Sequence, residues 1–223
     1  MLNTICNFFN KFYDFSLKIF FVVGIMLICV LVASRIYFIV RNFFLIELSV
    51  AEMRVFWHCS RSERNRVSEI ISRLPYALCY HFAKNNWQLN ILSAKNYSKI
   101  KANGMEKKTI GLFDPRTRNI YINADVEKER TEETIYHEFG HYCDWINGGG
   151  WFIFGSSIDP FAKSIFESLR FDESIPAYYR SDVKEFVAYC VSSYVCKPNV
   201  LTSEMLELGK KRLEDVYEAS NRL

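Results

Sequence analysis

The most apolar stretch of the chain is residues 19–40, IFFVVGIMLICVLVASRIYFIV, broken only by Ser34 and Arg35 near its far end. A helix needs about 20 apolar residues to cross a bilayer, so this pattern predicts a transmembrane anchor, with the Arg35 stem long enough to reach the headgroups. Beyond it the apolar residues thin out and recur at shorter intervals. Val67, Ile70, Ile71 and Leu74 stand at i, i+3, i+4 and i+7, which predicts an amphipathic helix ending before Pro75. A second helical piece is expected from Pro75 to about Lys84. Leu89 and Ile91 alternate with polar partners as a strand does, and residues 111–113 and 119–123 read as two more strands. Between those two, Asp114-Pro115-Arg116-Thr117 has turn chemistry. The polar run 95–108 reads as a loop or an irregular strand connection.

The second half is mostly helical in pattern. Thr131 is placed to cap a helix whose first turn carries Glu132 and Glu133, where the helix dipole favours negative charge. That helix is expected to run to about Ile146 and to stop at Asn147-Gly148-Gly149-Gly150. These elements together predict an α+β chain, mostly helical with a small β-sheet. Its expected divisions are an N-terminal segment (1–18), the anchor (19–40), a juxtamembrane linker (41–60) and a folded domain (61–223).

A cleaved signal peptide is the alternative to the anchor, because Lys11 and Lys18 precede the apolar run and small residues end it at 32–34. The further apolar residues Phe43, Phe44, Leu45 and Ile46 favour a retained, single-pass anchor over secretion after cleavage. Lys11 and Lys18 lie before the span and Arg35, Arg41, Arg54 and Arg61 at its end or after it, a balance that leans slightly towards a cytoplasmic folded domain and leaves the side open. The formal charge of +3 is spread along the chain, and its densest basic cluster, Arg61, Arg64, Arg66 and Arg73, is interleaved with Glu63 and Glu69. That is the composition of a solvated helix face, with at most weak attraction to anionic lipid, and it argues against a nucleic-acid partner. The seven cysteines are scattered and contain no CxxC pair, which argues against a disulfide framework and against a thiolate metal site.

Candidate chemistry concentrates in His137-Glu138-Phe139-Gly140-His141, the HExxH pattern. Two histidines four residues apart project from adjacent helical turns on one face, so both imidazoles can reach a single tetrahedral ion. Ile135, Phe139, Tyr142 and Ile146 point the other way, giving the helix a core face and a ligand face. Glu138 sits on the flank, where it can act on a water without ligating the metal. Asp144, on the ligand side, is a candidate to hold an imidazole in place, with a charged group near a helix end as the plain alternative. A catalytic zinc site needs a third protein ligand. The remaining histidines, His58 and His81, precede the motif and read as surface or juxtamembrane residues, so a later carboxylate is expected. Asp159, Glu167, Asp172, Glu173, Asp182 and Glu185 are the candidates, and spacing does not choose among them.

The segments TIYHEFGHYCDW and YYRSDVKEFVAYCVSSYV together resemble the catalytic domain of the anthrax toxin lethal factor-like zinc metallopeptidases, a group that includes the Pro-Pro endopeptidases. The resemblance covers roughly residues 61–195 and is specific in those two segments. It implies a zincin-like metallopeptidase domain with one zinc ion held by His137, His141 and Glu185. It also implies Glu138 as general base and Tyr178 as the hydroxyl that supports the tetrahedral intermediate, with Tyr179 as the fallback. Ser181 or Asp182 can cap the helix that carries Glu185, and the neighbours Val187, Cys190, Val191 and Tyr194 can pack inward. By analogy with such peptidases, the 119–123 strand is expected to offer an edge to an extended substrate. The Gly148 to Gly150 run and the aromatics Trp151, Phe152 and Phe154 read as a helix stop with packed rings rather than a mobile lip.

The expected activity is therefore hydrolysis of a protein or peptide substrate by a membrane-anchored zinc endopeptidase. The competing reading is a catalytically silent membrane protein of the same fold, acting as a binding, regulatory or immunity protein.

Overall fold

A computed structural model describes residues 26, 29–36, 53–101, 109–148 and 154–220 of the chain. The chain divides into two units, Met1–Leu45 and Ile46–Leu223. In the first, the described residues are helical (α1), and Met26, Val30, Leu31, Val32 and Ile36 expose their side chains. No helix among the described residues is long and apolar enough to cross a membrane, and most of the 19–40 segment lies outside them.

The second unit has α+β architecture. It opens on β1 (Arg54–His58), followed by α2 (Arg61–Ile71), α3 (Tyr76–Lys84), β2 (Gln88–Leu92) and α4 (Ala94–Lys101). Then come β3 (Gly111–Asp114), β4 (Asn119–Asn123) and α5 (Lys128–Asn147), and finally α6 (Pro160–Leu169), α7 (Val183–Cys196) and α8 (Ser203–Ser220). The four strands form one mixed sheet in the order β1-β2-β4-β3. β1, β2 and β4 run parallel, and β3 returns antiparallel to β4 with Gly111 opposite Ile122 and Asp114 opposite Asn119.

Local chemistry accounts for the boundaries. Ser60 and Glu63 make a reciprocal capping box at the start of α2, which satisfies two backbone donors that the helix cannot. The Asp114 carboxylate accepts hydrogen bonds from the Arg116 backbone and the Thr117 hydroxyl, and Arg118 takes a positive φ of 56° to close the β3–β4 turn. One face of the sheet buries Leu89, Ile91, Ile120 and Ile122 completely, against Phe82, Trp87, Phe139 and Tyr142 from the helical layer. A second apolar cluster, with Phe166, Phe186, Val187, Met205 and Leu208, joins α6, α7 and α8. As the apolar spacing predicts, Val67, Ile70, Ile71 and Leu74 are all buried.

Four expectations are corrected here. Residues 54–58, assigned to a linker, are the edge strand β1. Val55 and Trp57 turn partly into the core while Arg54, Phe56 and His58 stay exposed, and this short alternation is overshadowed in sequence by the apolar run before it. The polar run 95–108 begins as a helix: α4 lies against β2 and β4, with Asn96 and Tyr97 both donating to the Ser93 carbonyl and Tyr97 buried. One aromatic anchor is enough to dock this helix, yet it leaves little periodic signal. Thr131 does not cap α5, which starts a turn earlier at Lys128; its buried hydroxyl donates back to the Glu127 carbonyl at 2.8 Å. Finally, β4 is flanked by β2 and β3, so it has no free edge, and among the described residues the outer strand on this side of the sheet is β3.

Candidate metal centre

Helices α5 and α7 supply the site, and their close approach starts from Gly140. A Cβ atom at this position would lie 2.8 Å from the Ala188 Cα and 3.0 Å from its carbonyl oxygen, so only glycine allows the two backbones to come this near. His137 and His141 flank Gly140 on α5, and Glu185 lies one turn before Ala188 on α7. The Asp182 side chain caps α7 by accepting from the Lys184 backbone at 2.7 Å, which resolves the choice between Ser181 and Asp182.

The geometry follows from this packing. The two imidazole rings are 4.7 Å apart and nearly perpendicular, with both Nε2 atoms turned towards Glu185. His137 Nε2 lies 3.1 Å from one carboxylate oxygen, and His141 Nε2 lies 3.5 Å from the other. One ligand atom from each residue falls within 4.8 Å of the other two, so this trio could hold a metal ion. Two imidazole nitrogens and a carboxylate oxygen, largely buried, are the donor set that suits zinc in a three-ligand site.

Electrostatics separates the four groups. Burial is the largest influence on Glu138 and pushes its carboxyl up to about 7, with His141 opposing and Glu185 adding to the shift. Burial pulls His137 below the ordinary imidazole value. The same effect acts on His141, but hydrogen bonding to Glu185 and the charges of Glu138, Glu185 and Asp144 outweigh it and move the group upward. Burial opposes ionisation of Glu185, yet its hydrogen bonds and charge contacts with both histidines win and hold it well below the usual carboxylate range. The result is a carboxyl raised by burial beside one that the histidines hold ionised.

Of the other candidates, Asp182 lines the same cleft but is engaged as the α7 cap, and the rest lie elsewhere. Asp159 caps α6 and pairs with Arg212, Glu167 pairs with Arg170, Asp172 accepts from the Ser174 backbone, and Glu173 is exposed. His58 is exposed on β1, whereas His81, expected at a surface, is buried and hydrogen bonds the Tyr142 hydroxyl at 2.8 Å. Asp144 does not take the role of holding an imidazole. Its hydrogen bonds come from the Ser156 backbone (2.7 Å) and hydroxyl (2.5 Å), and Arg212 Nε stands 3.4 Å away, so it ties α5 to the 3₁₀ turn Gly155–Ser157 and to α8.

A cleft of about 250 Å³ opens onto His141 and Glu185 of the trio. Gly111 and Phe113 of β3 line it together with Glu138, Phe154, Tyr178 and Lys184. The two tyrosines differ in placement. Tyr178 faces the cleft near Glu185, and burial, then the charge of Glu185, keeps its hydroxyl protonated far above the ordinary phenol value. Tyr179 stacks on Tyr189 at 4.4 Å and packs against the His137 ring. Phe154 combines the two readings weighed for the aromatics, since it packs against Phe113 and also walls the cleft; Trp151 and Phe152 lie outside the described residues.

Gly111 and Lys184 escaped the sequence reading. A Cβ on Gly111 would sit 2.3 Å from Glu138 Oε1, so glycine at this strand lets Glu138 press against the sheet edge. A glycine at the start of an apolar strand was the available signal for close approach. Nothing in the sequence pattern singles out Lys184. No protein-family model matches the chain, and no curated protein matches it.

Alanine in place of Gly140 is expected to destabilise the fold by roughly 1–3 kcal/mol, the usual range for overpacking, and to weaken metal affinity by moving Glu185 away from the histidines. Thermal melts with and without zinc check both effects; unchanged zinc binding would show that the helix spacing does not set the ligand geometry.

Proposed function

We propose that this chain is a membrane-tethered zinc endopeptidase related to the lethal factor-like metallopeptidases. The observation that carries the reading is the convergence of His137, His141 and Glu185, from two distant segments, with the raised carboxyl of Glu138 beside them in an open cleft. The two segments that meet here are the same two in which the family resemblance is specific. His137, His141 and Glu185 would hold the zinc, which when bound supplies Lewis acidity that polarises a carbonyl and acidifies water.

Each remaining step belongs to the protein's own groups. An extended substrate can pair with the open edge of β3, which places its backbone along the wall formed by Gly111 and Phe113. Glu138, buried and raised to about 7, accepts a proton from the attacking water and delivers it to the leaving amine. The Tyr178 hydroxyl, held protonated, donates a hydrogen bond to the oxygen that gains charge as the carbonyl carbon becomes tetrahedral.

The test is cleavage of a peptide library by the purified chain in zinc, with two variants alongside. Glu138→Gln should keep its metal and lose about 10²–10⁴ in rate. Tyr178→Phe should keep its metal and lose about 10²–10³. A fully active Glu138→Gln protein would rule out the mechanism.

The anchor belongs to the same proposal and is supported by the apolar run 19–40. Full-length protein should sediment with membranes after alkaline carbonate washing and be released only by detergent. Recovery in the soluble fraction would remove the tether from the reading.

A further inference from the structure

The cleft carries one feature that the hydrolytic chemistry does not use, a cation. Lys184 lines it beside Glu185, and its ammonium stands 5.0 Å from the centre of the Phe154 ring, over an aromatic face that is attractive to cations. No carboxylate among the described residues lies within ion-pair distance of this ammonium, whereas Lys128, Lys197 and Lys210 each have one. The Asp182 carboxylate, two residues away, is engaged by the Lys184 backbone as the helix cap. Of the two other acidic groups on the cleft, Glu185 would be engaged with the metal and Glu138 with the proton. A half-buried lysine held on a ring, one residue from a metal ligand and without a partner of its own, is therefore the positive charge that an incoming peptide meets.

We propose that Lys184 makes the cleft selective for peptides that bring a carboxylate next to the bond to be cut, carried by an acidic side chain or by the peptide's own C-terminus. The inference rests on the peptidase reading of the site and assigns a substrate class to it. Lys184 is a specificity-determining residue here; it neither ligates the metal nor transfers a proton. The contact with the Phe154 ring, which also lines the cleft, favours an ammonium directed along the cleft wall.

Three terminally defined decapeptide mixtures test this with the full-length protein in detergent and zinc. The first has blocked ends and one central Glu, the second has blocked ends and Gln at that position, and the third has Gln and a free C-terminal carboxylate. Wild type should cleave the first or the third about two- to fivefold faster than the second, the scale of one partly solvated ion pair. Preference for the first assigns the carboxylate to a side chain, and preference for the third assigns it to the terminus. Lys184→Gln should erase the difference, and Lys184→Glu should favour a matched mixture with a central Lys. Equal rates on all three mixtures, or a preference that survives Lys184→Gln, would overturn the proposal. If no mixture is cut, the peptidase reading fails, and the lysine is then judged by binding. Fluorescein-labelled mixtures are titrated against zinc-loaded Glu138→Gln protein with and without Lys184→Gln. A carboxylate preference lost with the lysine supports the inference, and equal binding sinks it.

Discussion

Alanine at His137 or at His141 is expected to leave the purified chain without stoichiometric zinc, where the unaltered chain is expected to bind one ion. Either change removes a nitrogen that faces the oxygens of Glu185, 3.1 Å away for His137 and 3.5 Å away for His141. The affinity should therefore drop by well over the roughly 100-fold that loss of an outer supporting group costs. Glu185→Gln keeps the shape of the side chain and removes its charge, so it should weaken the site while leaving the two imidazoles in place. A thermodynamic readout runs in parallel with metal analysis. Zinc at a thousandfold excess over its dissociation constant should stabilise the unaltered protein by roughly 4 kcal/mol and the histidine variants by almost nothing. If both alanine variants still carry one zinc per chain, the ligands have been misassigned and the proposed chemistry goes with them.

The largest stability loss outside the site is expected from Arg212. Its guanidinium is 3% exposed and gathers Asp159 at 2.8 Å, Asp144 at 3.4 Å and Asp215 at 3.7 Å. Asp144 is fully buried, and burial raises its carboxyl despite the bonds from Ser156 and the charge of Arg212. Arg212→Met keeps the apolar stem but strands Asp144 as a buried, unpaired acid, which typically costs about 3–5 kcal/mol. A second change, Asp144→Asn, should recover part of that loss by removing the stranded charge. Urea titrations of the single and double variants measure both steps. A loss below about 1 kcal/mol for Arg212→Met would mean that this cluster behaves like an exposed ion pair. The loss would also reach the cleft wall, because Asp144 fastens the end of α5 to the turn that follows Phe154.

Much of this was legible beforehand where one short stretch of chain contains its own instruction. The 3.6-residue spacing of Val67, Ile70, Ile71 and Leu74 marked α2, the alternation around Leu89, Ile91, Ile120 and Ile122 marked the central strands, and HExxH marked the ligand face of α5. The elements that went unread have little periodic content. β1 offers only Val55 and Trp57 to the core, and α4 only Tyr97 in full. Asp144 illustrates a different failure. Its position was read as the ligand side of α5, but its partners, Ser156 and Arg212, come from segments whose approach no local pattern encodes.

The site divides along the same line. Sequence alone determined that two imidazoles would stand one turn apart on one helix with an acid between them, because helical geometry is local and depends only on spacing. Spacing left six later carboxylates as possible third ligands, among which only the family resemblance pointed to Glu185, and the same reading misplaced the free edge of the sheet on β4. Only the tertiary structure decided that Glu185 meets the histidines, that β3 borders the cleft, and that Lys184 turns into it. Those outcomes depend on how closely α5 and α7 approach at Gly140 and on the order in which strands join the sheet. Both are set by packing between residues far apart in the chain, and distance along a sequence carries no record of such contacts.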